Sequence, residues 1–275
     1  MSSLNPNDPV TLSGDNDLFT IPASSGATTA NIWLALDGND TVLGSAGAET
    51  INGNQGNDSV DGGGGADYIY GGKDNDTLSG LLDADTLSGN KGFDFLEGGD
   101  GDDLMYGGQA ADVLIGGTGD DTLSGDRGLN GSIGGSGSDV FVLLPGDPAQ
   151  PETEGTIIFD LNLQEGDQIA LAGGLTEANL LLQEENRPIS ELLDLGNGLL
   201  DAFGVDIPSN LLPFLSNSAA IEQFIQTTVG VNISLDPDQD GNLAGTLIID
   251  STTAKEIGLV LNVAPDDLSG NFTTI

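Results

Sequence analysis

The sequence predicts a chain dominated by β-structure: a parallel β-roll of stacked nine-residue units, then a β-rich C-terminal region with a small helical insert. Three observations predict it. A frame of nine set at Gly26 runs to Val142 without insertion or deletion, giving thirteen units over 117 residues. Within each unit, glycine, an acidic residue and an apolar residue keep fixed places. Beyond Val142 the frame stops, and proline-rich, strand-like and helix-like stretches follow in turn.

Composition narrows the functions available. With 5 Lys+Arg against 44 Asp+Glu, the formal charge is −39. Such a field repels nucleic acid, phosphorylated ligands and anionic lipid, and it attracts cations. Acidic chains are often disordered, but here 37% of residues are apolar and they recur on a regular beat. There is no cysteine, hence no disulfide, thiolate metal site or cysteine nucleophile. There is no histidine either, which excludes an HExxH zinc site and a Ser-His-Asp triad. The N-terminus, MSSLNPNDPVTLSGDND, lacks the basic and apolar regions of a secretory signal peptide. No apolar run reaches the roughly 18 residues of a membrane span, so a soluble protein is expected.

Residues 1–25 contain SGDNDLF, a shortened echo of the repeat, and read as a lead-in strand or cap. Residues 26–142 are the repeat proper. Its first position is glycine in twelve units, with Ala35 the exception, and its fourth is glycine in nine. The sixth is acidic in eleven, with Asn31 and Asn130 in the others. The eighth is apolar in twelve, from Trp33 to Phe141, with Ser132 the exception. One apolar residue per nine is too sparse for an amphipathic helix, which needs three or four in two turns. The pattern suits a turn of six residues followed by a strand of three whose eighth residue points inward. Two units make a coil of eighteen, and coils stack as parallel strands about 4.7–4.9 Å apart.

A core with one apolar side chain per nine residues is thin, and stacking sets a carboxylate over another carboxylate every eighteen residues. A hard cation between the turns addresses both problems. Calcium suits best, because it takes 6–8 oxygen ligands from carboxylates and peptide carbonyls in flexible arrangements. Magnesium demands tighter geometry, and zinc or copper would want histidine or cysteine.

Gly62–Tyr70 (GGGGADYIY), Gly98–Tyr106 (GGDGDDLMY), Gly116–Ser124 (GGTGDDTLS) and Gly134–Val142 (GGSGSDVFV) match the pattern GGxGxDxUx in full. They resemble the nonapeptide of RTX (repeats-in-toxin, hemolysin-type) calcium-binding proteins. The resemblance implies a calcium-stapled roll, with an ion held between each turn and the next turn on the same edge. One edge then carries Asp40, Asp58, Asp76, Asp94 and Asp112 as ligands. The other carries Glu49, Asp67, Asp85, Asp103, Asp121 and Asp139. Glu49 is one methylene too long, Gly80–Ser88 (GLLDADTLS) lacks two glycines, and Asn130 weakens the last site of the first edge. On the order of seven to nine ions are expected.

After a proline- and acid-rich linker at 143–155, residues 156–275 begin with strands broken by turns. This passage resembles the segment that caps the roll in secreted RTX proteins, and an ordinary β-rich domain would read alike. Val113, Ile115, Ile133, Val140 and Val142, apolar at outward positions, mark where this flank docks. Residues 187–228 show helical spacing, with Ser190 and Ser216 as caps, and read as local core or a partner-binding helical pair. Asp236, Asp238 and Asp240 before Gly241 mimic the start of an EF-hand loop, but the twelfth position is Leu247, so a hairpin turn with at most a weak calcium site is expected. The tail, APDDLSGNFTTI, resembles the uncleaved C-terminal signal of RTX proteins exported by type I secretion machinery.

The leading expectation is a secreted, non-catalytic calcium-binding protein that folds on meeting extracellular calcium. A second is calcium-dependent adhesion or glycan and matrix binding, with Tyr68, Tyr70, Leu104 and Tyr106 at outward positions of one sheet. The third is a carbohydrate-active enzyme using paired carboxylates. Against it, the acidic residues repeat rather than converge, and the five cations (Lys73, Lys91, Arg127, Arg187 and Lys255) read as scattered.

Overall fold

The computed structural model describes residues 10–22, 31–145, 155–188, 242–253 and 255–275. Within them the chain winds as a parallel β-solenoid of about 6 turns whose strands alternate between two sheets. Sheet A has ten strands, among them Glu49–Gln55, Tyr68–Lys73, Thr86–Lys91, Leu104–Gln109 and Thr122–Arg127 in succession. Sheet B has eleven, including Ser59–Gly64, Thr77–Leu82, Phe95–Asp100 and Val113–Thr118. Pairing follows the eighteen-residue coil: Leu96 lies between Leu78 and Leu114, and Met105 between Leu87 and Leu123.

The eighth-position side chains fill the space between the sheets. Ile51, Ile69, Leu78, Leu87, Leu96, Met105, Leu114, Leu123 and Phe141 are all at most 1% exposed. Trp33 ends the column and meets Phe19 of the lead-in strand, the ring centroids 5.2 Å apart. Ser132 takes the same inward place, fully buried, and its Oγ finds no partner.

Most strands of the repeat are six residues long rather than three, running from the seventh position of one unit through the third of the next, as in Phe95–Asp100. The first-position glycine is a corner inside it. Phe95, Leu96 and Glu97 pair with Val113, Leu114 and Ile115, Gly98 is skipped, and Gly99 and Asp100 pair with Gly117 and Thr118. The left-handed backbone falls on the second and fourth positions: Gly99 has φ 115° and Gly101 φ 140°. Where glycine is missing there, another residue bears the same conformation, as do Leu81 at φ 75° and Asp83 at φ 72°.

Both flanks extend the two sheets. Leu18–Thr20 pairs in parallel with Thr41–Ser45 at one end. At the other, Gly155–Ile158 continues sheet B, and Gln168–Leu171 then Phe272–Thr274 continue sheet A. Lys255–Leu261 pairs in parallel with Gly155–Ile158, and Asn242–Asp250 and Leu180–Pro188 then add antiparallel strands. The outward apolar residues Val113, Ile115, Ile133 and Val142 are buried, and Val140 is half-buried. Arg187 and Pro188 end a strand; the rest of the expected helical insert, 189–228, lies outside the described residues, as do Asp236, Asp238 and Asp240. Among the described residues the one α-helix is Pro265–Leu268.

Candidate metal centre

The eighteen-residue coil stacks the sixth-position side chains into two files, one on each edge of the roll. On the first edge Asp58 Oδ1 accepts the Asp40 N–H at 2.8 Å, Asp76 that of Asp58 at 2.9 Å, Asp94 that of Asp76 at 2.8 Å and Asp112 that of Asp94 at 3.0 Å. Asn130 closes this file by accepting from Asp112 at 2.9 Å. On the second edge Asp67, Asp85, Asp103, Asp121 and Asp139 each accept from the residue one coil earlier, at 2.7–3.0 Å. One carboxylate oxygen per residue is thus spent on ordering the neighbouring turn.

The other oxygen has no protein partner. Oδ2 of Asp40, Asp58, Asp67, Asp76, Asp85, Asp94, Asp103, Asp112, Asp121 and Asp139 is buried and makes no hydrogen bond. All but that of Asp40, whose unit begins with Ala35, lie against the first-position glycine of their own unit. A Cβ built on Gly98 would collide with Asp103 Oδ2 and stand 2.6 Å from Gly116 O in the next coil; one on Gly80 would meet Asp85 Oδ2 and Gly98 O. The space that excludes a side chain is therefore bordered by a carboxylate oxygen and a peptide carbonyl. Among the described residues no group of three or more acidic side chains converges, so the donors available to a cation are one or two carboxylates with backbone oxygens. That all-oxygen set fits calcium.

Electrostatics favour the same conclusion. Burial, with smaller contributions from neighbouring carboxylates, pushes Asp112 up to about 9 and Asp76 up to about 8, from an ordinary 3.8. Burial also carries Asp67, Asp85 and Asp121 up to about 7. Donated backbone N–H groups pull the other way but do not prevail. Buried carboxylates without a counter-charge tend to neutralise by taking up protons.

Two expected members differ. Glu49 turns its carboxylate back on its own unit, accepting from Ser45 Oγ at 2.5 Å and Ser45 N–H at 3.2 Å, and leaves no unpartnered oxygen. The extra methylene lets it reach the turn. Asn130 places an amide where the file would otherwise continue with a carboxylate.

Four features escaped the sequence reading. Asp17 heads the first file, its N–H donating to Asp40 Oδ1 at 2.7 Å. Asp167 ends the second, accepting from Asp139 N–H at 2.9 Å while its other oxygen takes the Asn162 N–H. Asp160 receives the N–H groups of Gly134 and Gly135. The partial motifs Asp17-Leu18-Phe19 and Asp167-Gln168-Ile169 were the available signal for the first two. A second ladder stands at the fifth position, where Asn39, Asn57 and Asn75 accept from Asn57, Asn75 and Phe93 one coil later. The signal was asparagine at an eighteen-residue spacing.

Comparison with known families agrees with this geometry. The family model of the RTX calcium-binding nonapeptide repeat matches in four copies, at residues 34–60, 43–78, 79–114 and 106–141. These are generally structural calcium-binding repeats, and the match supports calcium binding by the roll. No curated protein matches the chain.

Proposed function

We propose that this is a secreted, non-catalytic protein whose roll folds when calcium enters between its turns. The observation that carries the reading is the double file of ten buried, unpartnered aspartate oxygens, nine of them packed against a first-position glycine where a Cβ would collide with the carboxylate. Asp40, Asp58, Asp76, Asp94 and Asp112 would hold calcium on one edge, and Asp67, Asp85, Asp103, Asp121 and Asp139 on the other, each with carbonyls of first-position residues. Neighbouring pairs make four sites per edge, eight in all, with Glu49 set aside. Bound calcium supplies the positive charge that these carboxylates lack.

At cytosolic calcium the files repel, and the chain stays extended and exportable. At extracellular calcium, binding to the folded state alone stabilises it by mass action, about 2.7 kcal/mol per site at a hundredfold excess over Kd. The test is far-UV circular dichroism through a calcium titration, with calorimetry against magnesium. Gain of β-structure with about eight calcium ions per chain is expected; no gain, or equal response to magnesium, sinks the reading. Export through type I machinery follows from the tail's resemblance. In the folded chain Leu268 is buried and Phe272–Thr274 is paired, so the tail would have to be read before folding.

A second reading, calcium-dependent glycan adhesion, is favoured by the exposure of Tyr68 (51%) and Tyr106 (38%) on sheet A. A glycan screen comparing the wild type with Tyr70→Ala tests it; identical profiles would count against stacking on this face.

A further inference from the structure

Sheet A carries an outward face without a charge. In its five strands from Glu49–Gln55 to Thr122–Arg127, the seventh and ninth positions flank the inward eighth, and all ten hold tyrosine, leucine, threonine, serine or asparagine. The corresponding places on sheet B include Asp61 and Glu97. On a chain with 44 acidic residues and a formal charge of −39, the face of sheet A is a neutral window. It is also ordered along the roll. Tyr68 and Tyr70 make one rung, the register sets Thr86 and Ser88 beside them, and Leu104 and Tyr106 make the next apolar rung. Tyr68 and Tyr106 are exposed, and Tyr70 and Leu104 half-buried. Tyrosine rungs thus recur on every second coil, about 9.4–9.8 Å apart, with a hydroxyl rung between them.

We propose that this face binds a neutral, extended β-1,4-linked polysaccharide laid along the roll axis, across the strands. The proposal deepens the glycan-adhesion reading and rests on it, and on the calcium-folded roll, because only stacked coils set the spacing. In such a polysaccharide each sugar is turned over relative to the last. The same ring face therefore returns at every second sugar, a length close to two coil steps, and the two tyrosine rungs meet equivalent faces. Tyrosine presents a rigid apolar body with a polar tip, which suits the C–H face of a sugar ring. Thr86 and Ser88 offer hydroxyls that both donate to and accept from those of the sugar between the rungs. A face held by its sheet loses little freedom on binding. Charge selects against the alternatives. Acidic polysaccharides and nucleic acids meet a strongly acidic body, and a second copy of the chain brings a further −39. A neutral ligand meets no such repulsion.

The test is co-sedimentation, in calcium, with microcrystalline cellulose, chitin, insoluble starch and a polygalacturonate gel. Wild type is expected on cellulose or chitin, and should stay bound as salt rises because no ion pair holds it. Tyr70→Ala with Tyr106→Ala should lose roughly tenfold or more, while Glu97→Gln on sheet B should not change. The pair Ser88→Tyr and Tyr106→Ser keeps three tyrosines but puts their rungs on adjacent coils, and it should lose as much. Circular dichroism in calcium checks that each variant folds. Equal or stronger binding of the wild type to starch or polygalacturonate overturns the proposal and leaves glycan adhesion standing. A folded wild type that binds none of the four overturns both. Either tyrosine variant binding as well as wild type, or self-association through this face in place of sugar binding, overturns the proposal. A wild type that never folds in calcium overturns the calcium reading, and this proposal with it.

Discussion

Gly98 and Gly99 are adjacent, yet different constraints hold them. Gly99 sits at φ 115°, where a side chain is strained, whereas Gly98 is excluded from bearing a Cβ by Asp103 Oδ2 and Gly116 O. The second kind guards the proposed ion sites. Gly98→Ala should therefore lower calcium affinity as well as stability, read by calorimetry and thermal unfolding in calcium. An affinity equal to that of the wild type would show that Oδ2 needs no such space. Leu81 presents the opposite case, a branched side chain held at φ 75° and 43% exposed. Left-handed backbone costs an L-residue about 1–2 kcal/mol, and glycine returns roughly half of that gain through unfolded-state entropy. Leu81→Gly should raise stability by about 0.5–1 kcal/mol in a denaturant titration with calcium present.

At the scale of a strand and its neighbours, each coil contributes one inward side chain from each sheet, so every one bears on the stack. Met105, fully buried between Leu87 and Leu123, should cost about 2–5 kcal/mol as Met105→Ala. The fifth-position ladder was invisible as chemistry because asparagine in a turn reads as a turn residue. Only stacking converts Asn57 into an acceptor for the Asn75 N–H at 3.1 Å. Asn57→Ala should destabilise the calcium-loaded roll by about 1 kcal/mol while leaving ion stoichiometry unchanged. A lost ion would instead place this ladder inside a binding site.

The whole molecule responds to charge as a unit. In the metal-free roll Asp58, Asp94, Asp103 and Asp139 are raised to about 6, Asp76 to about 8 and Asp112 to about 9, all by burial first. A raised folded-state pKa means that the roll binds protons more tightly than the unfolded chain. The stability this contributes is fully present below about pH 4 and is lost as pH rises through roughly 6–9. Without calcium, β-structure should therefore increase on acidification from pH 8 to pH 5. With calcium the sign reverses, because protons compete for the same oxygens, and apparent affinity should fall over that range. Circular dichroism and calcium titrations at both pH values check the pair; pH-independent behaviour in each would show the carboxylates uninvolved. The solenoid's end is also a property of the whole: sheet B turns antiparallel at Asn242–Asp250.

The sequence by itself determined the roll, its frame, its inward column and the two files of carboxylates. Those follow from a repeat whose period equals half a coil, so position along the chain translates directly into position in space. Tertiary structure alone decided how the carboxylate oxygens divide, since Oδ1 meets a backbone N–H eighteen residues away and Oδ2 meets a glycine corner. It also decided that Glu49 folds back on Ser45 and that Asp17 and Asp167 extend the files outside the strict frame. Lys73, Lys91 and Arg127 are eighteen and thirty-six residues apart in the chain, and only parallel stacking in register makes them one line.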